Sequence, residues 1–452
     1  MENNINYKKR NFYLDTNRAD EAYAYAKDYM AYLDASKTER EAVIETIKLA
    51  EANGYKPYTF GMELKAGDKL YYNNRGKAIF LFRIGTEAIS NGIRISAAHI
   101  DSPRIDLKQC PLFENSGMAF FKTHYYGGIR KYQWVALPLA LHGVVVKADG
   151  TVVNVVIGED ESDPVFYIND LLPHLGYEQG KKPLNEAIPG ESLNLLIGSR
   201  TDDKDTSIRD SIMKIINEKY GITEEDFLSA ELSAVPTGKA RDLGLDRSLI
   251  AAYGHDDRCC AYPALTSLFG CDDPTHTLMC VLVDKEETGS EGVSGMQCML
   301  FLDLINTIAE TLGGNAAQVR SASKCLSADV SAAYDPNFAE AFEKRNCSEI
   351  NCGAVLSKYT GARGKSGTSD ASAEFLGWLR SAMAEYDVVW QTGELGKVDF
   401  GGGGTVAKFV AKLNIDTVDL GVPVISMHAP YEVISKADLY EAHRAFDAFC
   451  RF

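Results

Sequence analysis

The 452-residue chain is 45% hydrophobic and carries a formal net charge of −16, from 47 basic and 63 acidic side chains. A chain of this length can bury a large core in two or three domains. Its acidity opposes non-specific binding to nucleic acid or to anionic lipid, and it contains no apolar run long enough for a membrane span, so we expect neither partner. The first ten residues have no apolar secretory core, and ten cysteines are scattered without a framework. Together these features predict a reduced, cytoplasmic location.

The N-terminal part predicts one helix and two strands. Ser36 to Glu39 has the spacing of a capping box, and apolar residues follow at helical intervals as far as Gly54. The apolar segments 78–84 and 93–100 are typical of strands, and the second ends close to His99.

From about Arg104 to about Leu245 the pattern changes to short alternating runs, such as 143–146 and 152–157, separated by polar turns. This pattern predicts a β-rich domain of residues 104–245 inserted into a catalytic domain formed by residues 1–103 and 246–452.

After Leu249 strands alternate with helices again. Apolar runs at 278–283, 325–328 and 422–427 predict strands, and segments 296–308, 370–386 and the chain from Ser435 predict helices. The alternation predicts an α/β fold with a mixed, mostly parallel central sheet flanked by helices. In such sheets ligands bind outside the carboxyl ends of the strands.

Side chains that can bind metal ions follow five apolar runs. Each cluster alone is explained as well by a surface ion pair or by a buried structural histidine. Together they provide the mixed nitrogen and oxygen ligands expected for two metal ions that share a carboxylate, with one glutamate left to act as a base. The five clusters are His99/Asp101, Asp256/Asp257, Glu286/Glu287, Asp329 and His428.

The segments that carry these clusters resemble the aspartyl aminopeptidase family, which belongs to the two-metal exopeptidases. They occur in the order typical of the family and span nearly the whole chain. The matching segments are 97–103 (AAHIDSP), 254–258 (GHDDR), 284–290 (DKEETGS), 327–330 (SADV) and 424–429 (VISMHA).

The resemblance implies a role for each residue. Asp256 bridges both metal ions, His99 and Asp329 complete one site, and Glu287 and His428 complete the other. Glu286 is the general base, and Asp101 orients His99.

The resemblance also implies the cofactors and partners. The cofactors are two divalent metal ions per subunit. Zinc is the expected metal, with manganese or cobalt as alternatives. The partners are a peptide substrate and further copies of the chain, in a dodecamer built from dimers. The inserted domain would serve as a lid or a dimerisation domain.

The candidate substrate-binding residues are Lys358, Asp399, Gly402 and Gly403. Lys358 matches the basic residue expected to bind an N-terminal Asp or Glu, but a solvated basic loop explains it equally well. The glycine run after Asp399 lacks the lysine of a phosphate loop, so we interpret it as backbone that lines the substrate cleft. The segment after Lys358 departs from the family pattern, which leaves a preference for acidic residues open.

The sequence therefore predicts a two-metal aminopeptidase that removes N-terminal residues from short peptides. Two alternatives remain open: a carboxypeptidase or deacylase on the same metal centre, and a non-catalytic shell or cargo-binding relative.

Overall fold

The computed structural model describes residues 5–452, which form two compact units. The first unit comprises the chain up to Asp101, Ala240–Met427 and Glu432–Phe452, and the second comprises Ser102–Lys239 with His428–Tyr431. The helices are α1 Phe12–Asp15, α2 Ala19–Asp34, α3 Glu39–Ala52, α4 Leu184–Ala187, α5 Ile208–Tyr220, α6 His255–Gly270, α7 Leu300–Thr311, α8 Ala316–Ala322, α9 Ala373–Glu385, α10 Ala407–Ala411 and α11 Lys436–Arg451.

The strands are β1 Lys56–Pro57, β2 Lys69–Asn74, β3 Ala78–Arg83, β4 Ile93–His99, β5 Arg104–Asn115, β6 Met118–Tyr126, β7 Pro138–Val146, β8 Val152–Ile157, β9 Phe166–Ile168, β10 Leu195–Gly198, β11 Ala230–Pro236, β12 Arg241–Leu243, β13 Leu249–Ala252, β14 Thr277–Val283, β15 Lys324–Ala328, β16 Ser331–Ala332, β17 Ala354–Ser357, β18 Trp390–Thr392, β19 Asp416–Gly421, β20 Pro423–Ile425 and β21 Glu432–Ser435. Among residues 5–452 no helix combines the length and the apolar character needed to cross a bilayer.

The first unit is built on a nine-stranded sheet with the order β1-β2-β3-β14-β4-β15-β19-β17-β18. Its central strands β14, β4, β15 and β19 run parallel, whereas β3 and β17 are antiparallel to their neighbours β14 and β19. The α/β fold with a mixed, mostly parallel sheet is therefore confirmed. A smaller sheet in the same unit has the order β12-β13-β21-β20-β16.

Both faces of the large sheet are covered, since its central strands β4 and β14 are buried at every position. All seven residues of β14 are buried, as expected for a parallel strand between two layers of helices. Alternate residues belong to two separate cores: Leu278, Cys280 and Leu282 pack with α6 and α11, and Met279 and Val281 pack with α7 and α8.

The capping box of α3 lies two residues later than the sequence prediction. Thr38 accepts the backbone N–H of Glu41 at 3.3 Å, and the Glu41 carboxylate accepts the backbone N–H of Thr38 at 3.0 Å. The Ser36 hydroxyl instead donates to the Tyr32 carbonyl near the end of α2. Ser36 therefore closes one helix, and Thr38 opens the next.

Two other element bounds differ from the predictions. The helix predicted at 296–308 begins at Leu300, because the chain turns before it and the backbone N–H of Gln297 donates to the Ser290 carbonyl at 3.1 Å. The strand predicted at 422–427 ends at Ile425, because Ser426 takes a positive φ of 60° that no strand allows.

The second unit contains a seven-stranded antiparallel sheet with the order β11-β5-β6-β10-β9-β7-β8. An additional pairing joins β7 to β11 over seven residue pairs. This pairing closes six of the strands into a ring, and β8 extends from β7 outside it.

Candidate metal centre

Three neighbouring parallel strands of the first unit end at the same edge of the large sheet. His99 is the last residue of β4, where it lies opposite Val283 of β14. Asp329 follows β15, and Glu286 and Glu287 follow β14. Since parallel strands of one sheet present their carboxyl ends together, the strand order itself gathers ligands that are far apart in the sequence.

His99, Asp256 and Asp329 form the centre of this group. Their ligand atoms all lie within 4.8 Å of one another. His99 Nε2 lies 3.3 Å from Asp256 Oδ1 and 3.9 Å from Asp329 Oδ1. Zinc bonds of about 2.1 Å in a tetrahedral site place neighbouring ligand atoms about 3.4 Å apart. One imidazole nitrogen and two carboxylates at these separations therefore fit a divalent ion.

Glu286 reaches the same group from the end of β14. Its Oε2 lies 3.9 Å from His99 Nε2, and its side chain is 17% exposed. The turn that carries it begins at Lys285, which has a positive φ of 72°. A carboxylate this close to the candidate ligand nitrogen of His99 can act on a molecule held at an ion there.

Asp101 holds both the histidine and the turn after β14. Its backbone carbonyl accepts a hydrogen bond from His99 Nδ1 at 3.0 Å, so that Nε2 points towards Asp256. Its two carboxylate oxygens accept the backbone N–H groups of Glu286 at 3.1 Å and Glu287 at 3.2 Å. Asp101 itself is completely buried. It therefore has the contacts of a positioning residue.

Asp256 is held by a residue that the sequence analysis did not single out. The carboxylate of Glu432, at the start of β21, accepts the backbone N–H of Asp256 at 3.0 Å. Glu432 is only 1% exposed. The sequence contains one signal for this role: an acidic residue stands directly before the apolar pair Val433-Ile434. A charge next to buried residues needs a partner. Asp256 and Asp257 are joined by a cis peptide bond.

Burial and mutual repulsion set the protonation of this acidic cluster. Burial, followed by the charge of Glu286, raises the pKa of Asp329 well above its ordinary value. Burial alone would lower the pKa of His99, but its contacts with Asp101 and Asp256 outweigh that effect and raise it. Several carboxylates packed around one imidazole repel each other, and a divalent cation would relieve that repulsion.

Asp256 and Glu287 also approach each other, with ligand oxygens within 4.8 Å. The sequence analysis assigned His428 to the same ion as these two residues. His428 belongs to the second unit, where it has two hydrogen-bonding contacts. There His428 Nδ1 lies 2.9 Å from the Gly128 carbonyl, and the His428 carbonyl accepts the indole N–H of Trp134 at 3.3 Å. A histidine whose Nδ1–H donates to a backbone carbonyl has Nε2 as its ligand nitrogen.

A second group with possible ligand atoms consists of Asp257, Cys259 and Cys260, all buried and within 4.8 Å. Burial raises the pKa of the Cys259 thiol to about 12 and that of Cys260 well above its usual value. Metal binding needs the thiolate form. We therefore interpret these cysteines as apolar core residues.

The direction of β17 carries Lys358 away from the candidate metal ligands. Lys358 follows β17, which runs antiparallel to β19, so it leaves the sheet away from the edge where Asp329 follows β15. Its ammonium group forms an ion pair with Asp370, which also pairs with Lys365 at 3.0 Å. The side chains of Lys358 and Asp370 are both exposed.

The glycine run packs against a neighbouring loop. A Cβ on Gly402 would lie 2.5 Å from Ala362 Cα, and its φ is 117°, so both space and conformation require glycine there. Gly403 donates its N–H to the Thr360 carbonyl at 3.3 Å, and Asp399 is exposed. A role of these residues in substrate binding stays a prediction.

The comparison with known families and proteins agrees with this geometry. The model of the family described as Aminopeptidase I zinc metalloprotease (M18) matches residues 32–450. The chain belongs to the M18 family of zinc aminopeptidases. The family resemblance seen in the sequence is thereby confirmed, as is the prediction of a hydrolase that acts on peptide bonds.

Relatives and solved structures of the M18 family cover almost the whole chain. The "Probable M18 family aminopeptidase 1" of Clostridium acetobutylicum is 49% identical over 446 residues, which is 96% of each protein. The crystal structure of an M18 aminopeptidase from Thermotoga maritima is 40% identical, covers 99% of this chain and 100% of its own, and has a TM-score of 0.93. The mApe1 dodecamer of S. cerevisiae, 18% identical with a TM-score of 0.76 and coverage of 96% and 97%, shares the fold.

Proposed function

We propose that this M18 protein is a two-metal aminopeptidase that releases single residues from the free N-terminus of short peptides. The proposal depends on one observation, that three carboxylates surround one imidazole nitrogen at an edge of the large sheet. His99 Nε2 lies 3.3 Å from Asp256 and 3.9 Å from both Glu286 and Asp329. Membership of a family of zinc aminopeptidases supports the same chemistry.

We assign His99, Asp256 and Asp329 to one ion and Asp256, Glu287 and His428 to the other, with Asp256 shared. The donor chemistry supports zinc, and manganese or cobalt suit the same nitrogen and oxygen ligands. When bound, such ions polarise a scissile carbonyl and acidify water.

Glu286 is the proposed general base and acid. Its carboxylate takes a proton from the attacking water and returns it to the amine of the leaving peptide. Asp101 is a positioning residue, because its carboxylate and carbonyl fix the backbone of Glu286 and the ring of His99. Glu432 has the corresponding role for the backbone of Asp256.

Preference for an N-terminal Asp or Glu would need a positive charge at the side-chain pocket. In this chain the charge of Lys358 is compensated by Asp370. The pair argues against Lys358 as the determinant of an acidic preference, and we propose that neutral N-terminal residues are also accepted.

The proposal extends to the assembly and location. The dodecameric state of a structural relative supports a homo-oligomer, with residues 104–245 as the inserted lid or dimerisation domain. All ten cysteines are free thiols, and this supports a cytoplasmic location, where thiols stay reduced.

The test uses the purified protein with its metal content measured per chain. Aminoacyl substrates with free Asp, Glu, Leu or Lys should be hydrolysed, chelation should remove the activity, and zinc should restore it. Matched peptides with an acetylated N-terminus should resist hydrolysis. Cleavage of those blocked peptides at the carboxyl end would indicate a carboxypeptidase, release of acetate a deacylase, and bound metal without turnover a non-catalytic relative.

A further inference from the structure

The proposed shared ligand, Asp256, stands at a turn that the helix after it does not fix. The turn connects β13, which ends at Ala252, to the regular part of α6. The ψ of 106° at Asp256 and the φ of −118° at Asp257 are not helical, and Gly254 has a left-handed φ of 82°. Hydrogen bonds within α6 therefore do not set the position of this carboxylate, and contacts with other elements have to do so.

The residue before the ligand, His255, is held at both of its ring nitrogens. It is completely buried. Its Nε2 lies 3.3 Å from the carbonyl oxygen of Ile250 on β13, which can only accept, so Nε2 carries the hydrogen. In the neutral ring Nδ1 is then the acceptor for the hydroxyl of Tyr29, 2.8 Å away. The imidazole is thus fixed in one orientation directly beside Asp256.

Tyr29 reaches His255 from a distant part of the chain. It lies in α2, 226 residues before His255, and is itself completely buried. Its ring stacks on the imidazole, with 5.8 Å between the centroids and 21° between the planes. Both the ring and the hydroxyl of Tyr29 therefore restrain the imidazole.

We propose that Tyr29 is a positioning residue of the metal centre, because through His255 it holds the carboxylate of Asp256 in place. The inference rests on the proposed function, since it takes Asp256 to be a metal ligand. The Tyr29 hydroxyl restrains the imidazole, and the imidazole restrains the turn that carries the carboxylate. Loss of a direct outer partner of a metal site typically costs about 10- to 100-fold in metal affinity. Because Tyr29 acts through one further residue, we expect a loss of about three- to tenfold.

Two tyrosines of α2 provide a matched pair of variants. Tyr32 is 3% exposed, and its ring lies 5.1 Å from that of Tyr262 in α6, as against 5.7 Å for Tyr29. The Tyr32 hydroxyl contacts Thr46 of α3 at 3.3 Å, however, and not a residue beside a proposed ligand. Tyr29→Phe and Tyr32→Phe each remove one buried hydroxyl that has a hydrogen-bond partner, so a general loosening of the core affects both variants.

The test measures the zinc affinity of the full-length protein by titration against a competing chelator. Tyr29→Phe should weaken zinc binding about three- to tenfold, and Tyr32→Phe should stay within about twofold of the wild type. The visible absorption spectrum of the cobalt-loaded protein should shift in Tyr29→Phe alone, because it reports the arrangement of the ligands. The melting temperatures of the two chelated variants should be lowered by similar amounts, because each has lost one buried hydrogen bond.

A second measurement tests whether Tyr29 acts through His255. In a His255→Leu background the additional change Tyr29→Phe should no longer alter zinc affinity, because the group that the hydroxyl restrains is gone. A full effect of Tyr29→Phe in that background would overturn the route through the imidazole. If His255→Leu does not fold, the comparison of the two tyrosine variants decides alone.

The outcomes separate this inference from the proposed function. Equal zinc affinity in Tyr29→Phe and the wild type, or an equal loss in both tyrosine variants, would overturn the inference alone. Wild-type protein that binds zinc but cleaves no peptide would overturn the proposed function alone, since the comparison of affinities still holds. Wild-type protein that binds no zinc would overturn the metal assignment, and the positioning role with it.

Discussion

The carboxylate of Asp101 accepts the backbone N–H of Glu286 at 3.1 Å. The same residue accepts the Nδ1–H of His99 through its carbonyl oxygen at 3.0 Å. One buried aspartate thus connects a proposed metal ligand on β4 to the proposed base after β14. The relative placement of ligand and base depends on Asp101 more than on either of the residues it holds.

Asp101→Asn should weaken this connection without removing a ligand. The N–H groups of Glu286 and Glu287 donate to different carboxylate oxygens, and in the amide one of those oxygens is replaced by an NH2 group, which cannot accept. The backbone carbonyl that accepts from His99 stays in place, so the loss falls on the turn that carries Glu286 and Glu287. Loss of such an outer partner of a metal site typically costs about 10- to 100-fold in metal affinity or activity. Zinc affinity measured against a competing chelator, together with kcat, checks this. Unchanged values for both would contradict the positioning role.

Glu286→Gln should remove turnover while the metal content per chain stays at the wild-type value. General acid–base catalysis contributes about 10²- to 10⁴-fold, and the amide cannot transfer the proton. Steady-state kinetics and elemental analysis on the same sample test the two statements separately. Glu291→Gln, at an exposed position in the same loop, is the control. A variant that keeps more than a tenth of the activity would exclude Glu286 as the base.

Removal of the metal should lower the thermal stability of the protein. An ion that binds the native state alone adds RT ln(1 + [M]/Kd) to the free energy of unfolding, about 4 kcal/mol at a thousandfold excess over Kd. Chelated protein should therefore melt at a lower temperature and recover on addition of zinc. In His99→Ala the response to zinc should shrink. A melting temperature that is indifferent to chelation would mean that these residues hold no tightly bound ion.

Asp419→Asn should stabilise the protein at neutral pH and have little effect in acid. Burial raises the pKa of Asp419 to about 6 from 3.8, so the folded state binds a proton more tightly than the unfolded state. Well below pH 4 both states are protonated, and above pH 6 the buried charge costs its full penalty, about 3 kcal/mol. The Ser327 hydroxyl, which donates to Asp419 at 2.7 Å, can donate to the amide oxygen as well.

Denaturant unfolding of Asp419→Asn and wild type, both at fixed zinc between pH 4 and pH 8, gives the difference directly. That difference should grow as the pH rises from 4 to 6 and then level off. Asp416→Asn, at the exposed start of the same strand, should show no such trend. A difference independent of pH would mean that Asp419 titrates normally.

Lys358→Ala should change the ratio of kcat/KM for Asp and Leu substrates by less than about threefold. The ammonium group is exposed and pairs with Asp370, and exposed ion pairs contribute about 0–1 kcal/mol. Asp370→Asn removes the compensating charge and serves as the reciprocal variant. A loss of acidic substrates alone in Lys358→Ala would restore Lys358 as the specificity residue.

The ligand-bearing segments of the first unit could be predicted because each follows an apolar run that becomes a buried strand. His99 ends β4, Asp329 follows β15, and the glutamate pair follows β14. Adjacent parallel strands bring these ends together. The prediction that these ends lie together required only the alternation with helices and the rule for ligand sites in such sheets, whereas the order of the strands was not predicted.

Other features depend on contacts that no local pattern encodes. The direction of β17 decides where Lys358 leaves the sheet. The apolar residues of a strand do not show whether it runs parallel or antiparallel to its neighbour. The role of Glu432 depends on a hydrogen bond across 176 residues to Asp256. The choice between Ser36 and Thr38 as the helix cap depended on whether the preceding helix used the first hydroxyl.

The long segment of the second unit, Ser102–Lys239, begins and ends at one place. Its first strand, β5, and its last, β11, are ladder partners, with Ile105 opposite Ala234 and Asp106 opposite Ser233. A short connection could therefore replace everything between these two pairs without stretching the chain on either side. Excision of this segment, with such a connection in its place, is a direct way to test whether the first unit folds by itself.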